Sequence, residues 1–168
     1  MKKIEISKAF TKYTPYNFAF ILSQDENNKP SGMIAAWHMK TSHEPPMIAI
    51  SLYNSQYTKK LIQQSKEFVI AIPDKKLKGA ISIFGEYHGN KIDKFKESKV
   101  KTKKAKFLKT PLLADATLNY ECKVVKSIKA GDHTIFIGEV LAAYHNEGQK
   151  ILLCYGKNKN GKRIFKEA

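Results

Sequence analysis

Acid is scarce in this sequence. Asp and Glu number 15 against 30 Lys and Arg in 168 residues, a net charge of +15. That balance disfavours cationic partners and favours anionic ones: nucleic acid, a phosphate-bearing cofactor or an acidic protein. Cysteine is scarcer still. Cys122 and Cys154 are the only two, far apart and outside any CxxC pair, which excludes a tetrathiolate metal site. Two ordinary buried or half-buried thiols are expected, because a cytoplasmic address argues against a disulfide. No apolar run approaches the roughly 20 residues of a membrane helix. The start, Met1-Lys2-Lys3-Ile4-Glu5, lacks the apolar stretch of a signal peptide, so the expected compartment is the cytoplasm.

The usual catalytic signatures are also missing. There is no HExxH, no GxSxG, no Walker loop and no GxGxxG. The five histidines, His38, His43, His88, His133 and His145, form no pair at metal-binding spacing, and no two carboxylates make an obvious acid–base couple. Chemistry carried by side chains is therefore not expected, and a bound cofactor is the alternative source.

What is present reads as mostly strand. Phe18 to Leu22, Met33 to Trp37, Met47 to Leu52 and Phe68 to Ile72 are short apolar runs near turn-forming residues. Leu118 to Ile128 and Thr134 to Tyr144 are longer, and the turn signal Lys129-Ala130-Gly131-Asp132 joins them into a hairpin. In the first of these, Leu118, Tyr120, Cys122 and Val124 share one face. Two helices are expected. One spans Gln56 to Ser65 with Asn54 or Ser55 as its cap, and the other is capped by Asp74 and ends at Gly85, with Leu77, Ala80, Ile81 and Phe84 inward. Many short strands in one domain of this length point to a barrel or sandwich.

Two basic or anion-seeking features stand out. Six lysines crowd into Lys99 to Lys109, read as a solvated connection or a docking patch for an acidic partner. Phe107 is the only aromatic among them, so nucleic-acid binding is not favoured. The segment Ser51 to Thr58 runs from a strand into a helix. A helix start offers free backbone N–H groups and a favourable dipole to an anion, and Ser55 and Thr58 add hydroxyls there. Plain capping with no ligand is the competing reading of that feature alone.

Seven segments in order carry a specific resemblance, from Lys29-Pro30-Ser31-Gly32-Met33-Ile34-Ala35-Ala36-Trp37 and Pro45-Pro46-Met47-Ile48-Ala49-Ile50-Ser51 through Tyr57-Thr58-Lys59-Lys60-Leu61-Ile62 and Glu67-Phe68-Val69-Ile70-Ala71-Ile72-Pro73. They continue with Gly85-Glu86-Tyr87-His88-Gly89-Asn90-Lys91-Ile92-Asp93-Lys94-Phe95, Leu118-Asn119-Tyr120-Glu121-Cys122-Lys123-Val124 and Gly131-Asp132-His133-Thr134-Ile135-Phe136-Ile137-Gly138-Glu139-Val140. Over about Tyr16 to Tyr155 the chain resembles the flavin reductase-like family of FMN-binding split barrels, and within it the flavoredoxin branch. The resemblance implies a mainly β, Greek-key split barrel with a few flanking helices, spanning the whole chain as one domain.

It also implies functional positions. Thr58 matches the residue that binds the FMN phosphate, and Lys94 matches a second phosphate or flavin contact. Trp37 and His133 match residues beside the flavin. Met33, Ala35 and Ala36 would offer backbone and small apolar contacts to the ring, with Ser31 and Ser51 nearby. Phe165 corresponds to an aromatic covering the flavin from a partner subunit. The chain departs from the family pattern at Ser31, where Asn is common, and at His88, where Ser is usual. The function implied is electron transfer through non-covalent FMN, from a reduced donor such as NAD(P)H to a flavin, metal or protein acceptor. A homodimer is expected, and an acidic redox protein is the partner that the basic surface would steer. A non-enzymatic flavin-binding or electron-carrier module is the alternative, and an oxidase of the pyridoxine-phosphate type ranks behind both.

Overall fold

The computed structural model describes residues 1–168. Seven antiparallel strands make the main sheet: β1 (Ala19–Gln24), β2 (Pro30–Ala35), β3 (His38–His43), β4 (Pro46–Tyr53), β5 (Glu67–Pro73), β8 (Ala116–Ala130) and β9 (His133–His145). Their order is β2-β1-β5-β8-β9-β4-β3. Two smaller pairs join β6 (Thr102–Lys103) with β7 (Leu112–Leu113), and β10 (Leu152–Lys157) with β11 (Arg163–Glu167). The helices are α1 (Ile6–Lys12), α2 (Tyr57–Ser65), α3 (Ala80–Glu86) and α4 (Lys94–Ser98).

The connectivity forces the sheet to curl. β2 and β3 stand at opposite ends of the order, yet only Ala36 and Trp37 separate them in the chain. In a flat sheet, six strand spacings would part them by about 29 Å. Three Cα–Cα steps reach at most about 11 Å. The two edges therefore meet at the Ala36–Trp37 corner without pairing along their length, which is a barrel with a split. The mainly β split barrel expected from the sequence is the fold observed.

Burial explains why β1 and β5 read as unbroken apolar runs. Phe20, Leu22, Val69 and Ala71 pack into one cluster, beneath α3 and the β10–β11 hairpin. The alternate residues Ala19, Ile21, Phe68, Ile70 and Ile72 pack into a second cluster with Ile48, Ile50 and Leu52 of β4 and Ala35 of β2. Residues from both ends of the sheet share that second cluster, so it lies inside the curl. Gly138 of β9 lets the barrel close there: a Cβ would stand 2.6 Å from Phe68 Cζ and 2.9 Å from Cys122 Cβ. Overpacking of this kind costs about 1–3 kcal/mol. Gly138→Ala is expected to lower the melting temperature by roughly 2–12 °C in a thermal melt, given about 2–4 °C per kcal/mol at this chain length.

Several local expectations change. Neither Asn54 nor Ser55 caps α2; its N-cap is Gln56, with no side-chain hydrogen bond. Asn54 is instead tied to the β8–β9 turn, accepting from Thr134 Oγ1 (2.7 Å) and donating to the Gly131 carbonyl (3.3 Å). Asp74 caps a 3₁₀ turn, Lys75–Leu77, rather than the helix that follows, and α3 runs one residue beyond Gly85. The expected inner residues Leu77, Ala80, Ile81 and Phe84 are all buried. In β8, the face opposite Leu118 and Tyr120 carries Thr117, Asn119 and Glu121, a buried polar row beneath the stretch from Lys106 to Leu113. Both cysteines are buried free thiols, and burial pushes Cys122 up to about 12.

The lysine-rich stretch is not a loose connection. Glu121 accepts backbone N–H bonds from Lys106 (2.8 Å), Phe107 (2.7 Å) and Leu108 (2.9 Å). Glu67 accepts from the N–H groups of Lys109 (3.1 Å) and Thr110 (2.8 Å). The lysine side chains point outward from a backbone pinned to the sheet.

Candidate functional site

The split leaves β2 paired only with β1, so the other edge of Pro30–Ala35 presents backbone N–H and C=O groups without a strand partner. Such an edge can hydrogen-bond a flat polar ligand as readily as another strand. Ser31 and Ala35 are four residues apart, about 13 Å along the strand. A different set of side chains gathers at each end.

At the Ser31 end, three elements converge. The loop between α3 and α4 brings Gly89 against Ser31, where a Cβ on Gly89 would meet Ser31 Oγ at 2.0 Å and Tyr57 Cδ1 at 3.1 Å. Tyr57 and Thr58 open α2, whose first N–H groups no side chain caps. Thr58 is buried, while Ser55 is exposed in the turn before the helix. Ser31 Oγ is buried without a hydrogen-bond partner. An orphaned hydroxyl, a cradle that requires glycine and an uncapped helix start together fit an oxyanion.

Lys94 stands directly behind this end. It is buried, not the surface lysine that so basic a chain would supply by default. Its ammonium donates to the carbonyls of Gly32 (2.8 Å) and Phe84 (2.9 Å), clamping β2 to α3. An ammonium has three donors, so one remains. Burial lowers its pKa to about 8.

At the other end, Ala35 is buried and Ala36 and Trp37 are exposed at the corner. The Trp37 carbonyl accepts from the Ser51 N–H (2.9 Å), which locks the corner to β4. β4 pairs with β9 so that Tyr53 faces His133. His133 is sandwiched between Trp37, stacked at 4.7 Å, and Tyr53 at 3.9 Å. Its Nδ1 lies 2.6 Å from Asp132 Oδ1, so Nδ1–H donates to the carboxylate and Nε2 is left for other partners. Trp37 is 53% exposed, which rules out the core role a lone tryptophan usually has. Phe10 of α1 meets its edge at 6.2 Å.

The structure thus brings Ser31, Thr58 and Lys94 to one end and Ala35, Ala36, Trp37, Ser51 and His133 to the other. Met33 lies between them in sequence, half-buried against the inner cluster. Phe165 does not join. Its ring packs on Phe18 of its own chain at 5.2 Å, half-buried against the first cluster. Tyr53 and Gly89 belong to the site but were not singled out by sequence. The register of β4 against β9 identifies the first, and only the close approach to Ser31 reveals the second.

The comparisons agree with this architecture. Residues 11–162 match the model of the flavin reductase like domain. An uncharacterized protein of Archaeoglobus fulgidus is 34% identical over 122 residues, covering 73% of this chain and 69% of that protein. The FMN reductase (NADH) RutF of Acinetobacter baylyi is 24% identical over 138 residues, covering 82% of this chain and 71% of RutF. Among solved structures, the flavoredoxin of Desulfovibrio vulgaris (Miyazaki F) superposes with a TM-score of 0.84 at 23% identity, covering 100% of this chain and 93% of that one. The chain belongs to the flavin reductase-like family, whose members are flavin-dependent redox proteins. No helix of the structure is long and apolar enough to cross a membrane.

Proposed function

We propose that this protein holds FMN without a covalent link along the free edge of β2 and passes electrons through it, as a flavin reductase or flavoredoxin. The observation that carries the proposal is the pairing of an oxyanion cradle at Ser31, Gly89 and the α2 start with an aromatic corner at Trp37 and His133, joined by one unpaired strand edge. The phosphate would sit at Thr58 and Ser55 with Lys94 behind it. The β2 edge and the small residues Ala35 and Ala36 would face the ring. Bound flavin would supply the redox chemistry, two-electron transfer between a nicotinamide donor and an acceptor. The chain's own residues bind, orient and shield it, which accords with the lack of any acid–base couple.

The same reading gives a homodimer. An open apolar groove of about 670 Å³ runs over Ile48, Ile70, Ile72, Leu118, Tyr120 and Val140. A second copy would cover it, and sedimentation should give twice the 19.1 kDa chain mass. An acidic redox protein is the proposed acceptor, and its reduction should slow as salt is raised.

The test is anaerobic addition of NADH or NADPH to the FMN-loaded protein. Bleaching of the flavin bands supports a reductase. Retained flavin that neither nucleotide bleaches would identify a carrier fed by another protein instead. Lys94 adds a pH signature. A phosphate favours its charged form, whereas burial lowers its pKa to about 8 in the free protein. FMN affinity should therefore weaken as pH rises through about 8, and Lys94→Met should remove that pH step in a fluorescence titration.

A further inference from the structure

A second cavity, of about 940 Å³, adjoins the proposed ring edge and shares Ala36 and Trp37 with it. Three parts of the chain wall it: α1 and its C-cap through Phe10 and Tyr13, the corner through Trp37 and His38, and the β10–β11 hairpin through Lys157 and Arg163. No Asp or Glu lines it. Lys157 and Arg163 are direct cross-strand partners in the hairpin. Like charges placed opposite each other are unfavourable unless an anion lies between them. The lysine–carboxylate ion pairs of the chain, Lys8–Glu5 and Lys75–Glu167, leave both cations unpaired. Arg163 lies exposed at the cavity rim, beside α3 and Tyr16. One of its guanidinium nitrogens lies 3.9 Å from where a Cβ of Gly85 would stand. It also sits close enough to Tyr16 to oppose the rise that burial and Cys154 impose on that phenol.

Aromatic walls with two unpaired cations suit a ligand with a flat ring and its own negative charge. We propose that this cavity receives the nicotinamide donor in its 2′-phosphorylated form, with Arg163 and Lys157 reading the 2′-phosphate. The proposal rests on the flavin reading above. Sites that select the unphosphorylated dinucleotide in other folds place a carboxylate on the ribose hydroxyls, whereas an arginine accommodates the 2′-phosphate. This cavity offers the arginine and no carboxylate. The relative RutF is named as an NADH enzyme, so the preference would belong to this chain's own hairpin.

The test is calorimetric titration of the FMN-loaded protein with the oxidised nucleotides NADP⁺ and NAD⁺, which bind without turnover. NADP⁺ should bind about 10-fold or more tightly than NAD⁺, the scale of a charge-assisted hydrogen bond. Arg163→Ala should erase the difference by weakening NADP⁺ alone, Arg163→Lys should keep part of it, and Lys101→Ala, an equal loss of charge in the basic run, should keep all of it. If Arg163→Ala does not fold, the wild-type ratio and Arg163→Lys decide. Equal binding of the two nucleotides, or an Arg163→Ala variant that weakens both alike, overturns the assignment. So does the absence of binding at millimolar nucleotide while flavin stays in place, an outcome that leaves the flavin reading intact. Flavin lost on desalting sinks both readings together.

Discussion

Glu121→Gln should cost about 3 kcal/mol of stability, roughly 6–12 °C in a thermal melt. The carboxylate is fully buried in β8. Oε2 accepts from Phe107 and Leu108, while Oε1 accepts from Lys106 and from the Tyr144 hydroxyl at 2.6 Å. Glutamine keeps one acceptor oxygen and turns an NH₂ toward the remaining donors. At least one buried backbone N–H then faces a donor, and a buried unsatisfied group costs about 1–3 kcal/mol beyond the lost bond. Burial alone would raise the pKa of Glu121, but the Tyr144 hydroxyl and the three N–H groups outweigh it and hold the carboxyl below its ordinary value. The sign follows by linkage. This stabilisation is fully present above the unfolded pKa of about 4.3 and is lost as pH falls through the lower folded value. The gap between wild type and variant should be constant near neutrality and close in acid. A melting temperature unchanged by the substitution would mean that Glu121 does not hold the lysine-rich stretch.

The sequence disclosed the strands buried on both faces, because β1 and β5 write their position as continuous apolar runs. It also disclosed the β8–β9 hairpin through its Gly131-Asp132 turn. It did not disclose β3, whose residues His38 to His43 are mostly polar and exposed at a sheet edge. Nor did it disclose α1, a helix of only seven residues that buries none of them. The role of Glu121 was hidden for a different reason. A lone acid in an alternating strand normally faces solvent, and three of its four partners are backbone N–H groups 13 to 15 residues away that leave no mark on side-chain pattern. At the site, the helix start at Thr58 was readable from Ser51-to-Thr58 chemistry. The sandwich of His133 between Trp37 and Tyr53 depends on register across three strands. The intrachain packing of Phe165 depends on where a short terminal hairpin folds back, which its composition does not encode.

Thr58→Val should weaken FMN binding about 10-fold or more, since a hydrogen bond to a charged group contributes about 1.5–3 kcal/mol. Valine keeps the volume of a buried side chain in the first turn of α2 and removes its hydroxyl, so the fold should survive with little change in melting. Riboflavin lacks the phosphate, and its affinity should be the same in both proteins. That contrast separates a phosphate contact from a general disturbance of α2. Equal weakening of FMN and riboflavin would place Thr58 in the structure of the helix start rather than in contact with the ligand.

The most direct test of the account is an absorbance spectrum of the protein after loading with FMN and desalting. Flavin bands that stay with the chain at about one flavin per protomer, and that riboflavin reproduces only weakly, are the predicted result. A desalted protein without flavin bands, folded and with Thr58 and Lys94 intact, would contradict the assignment of the β2 edge as a flavin site.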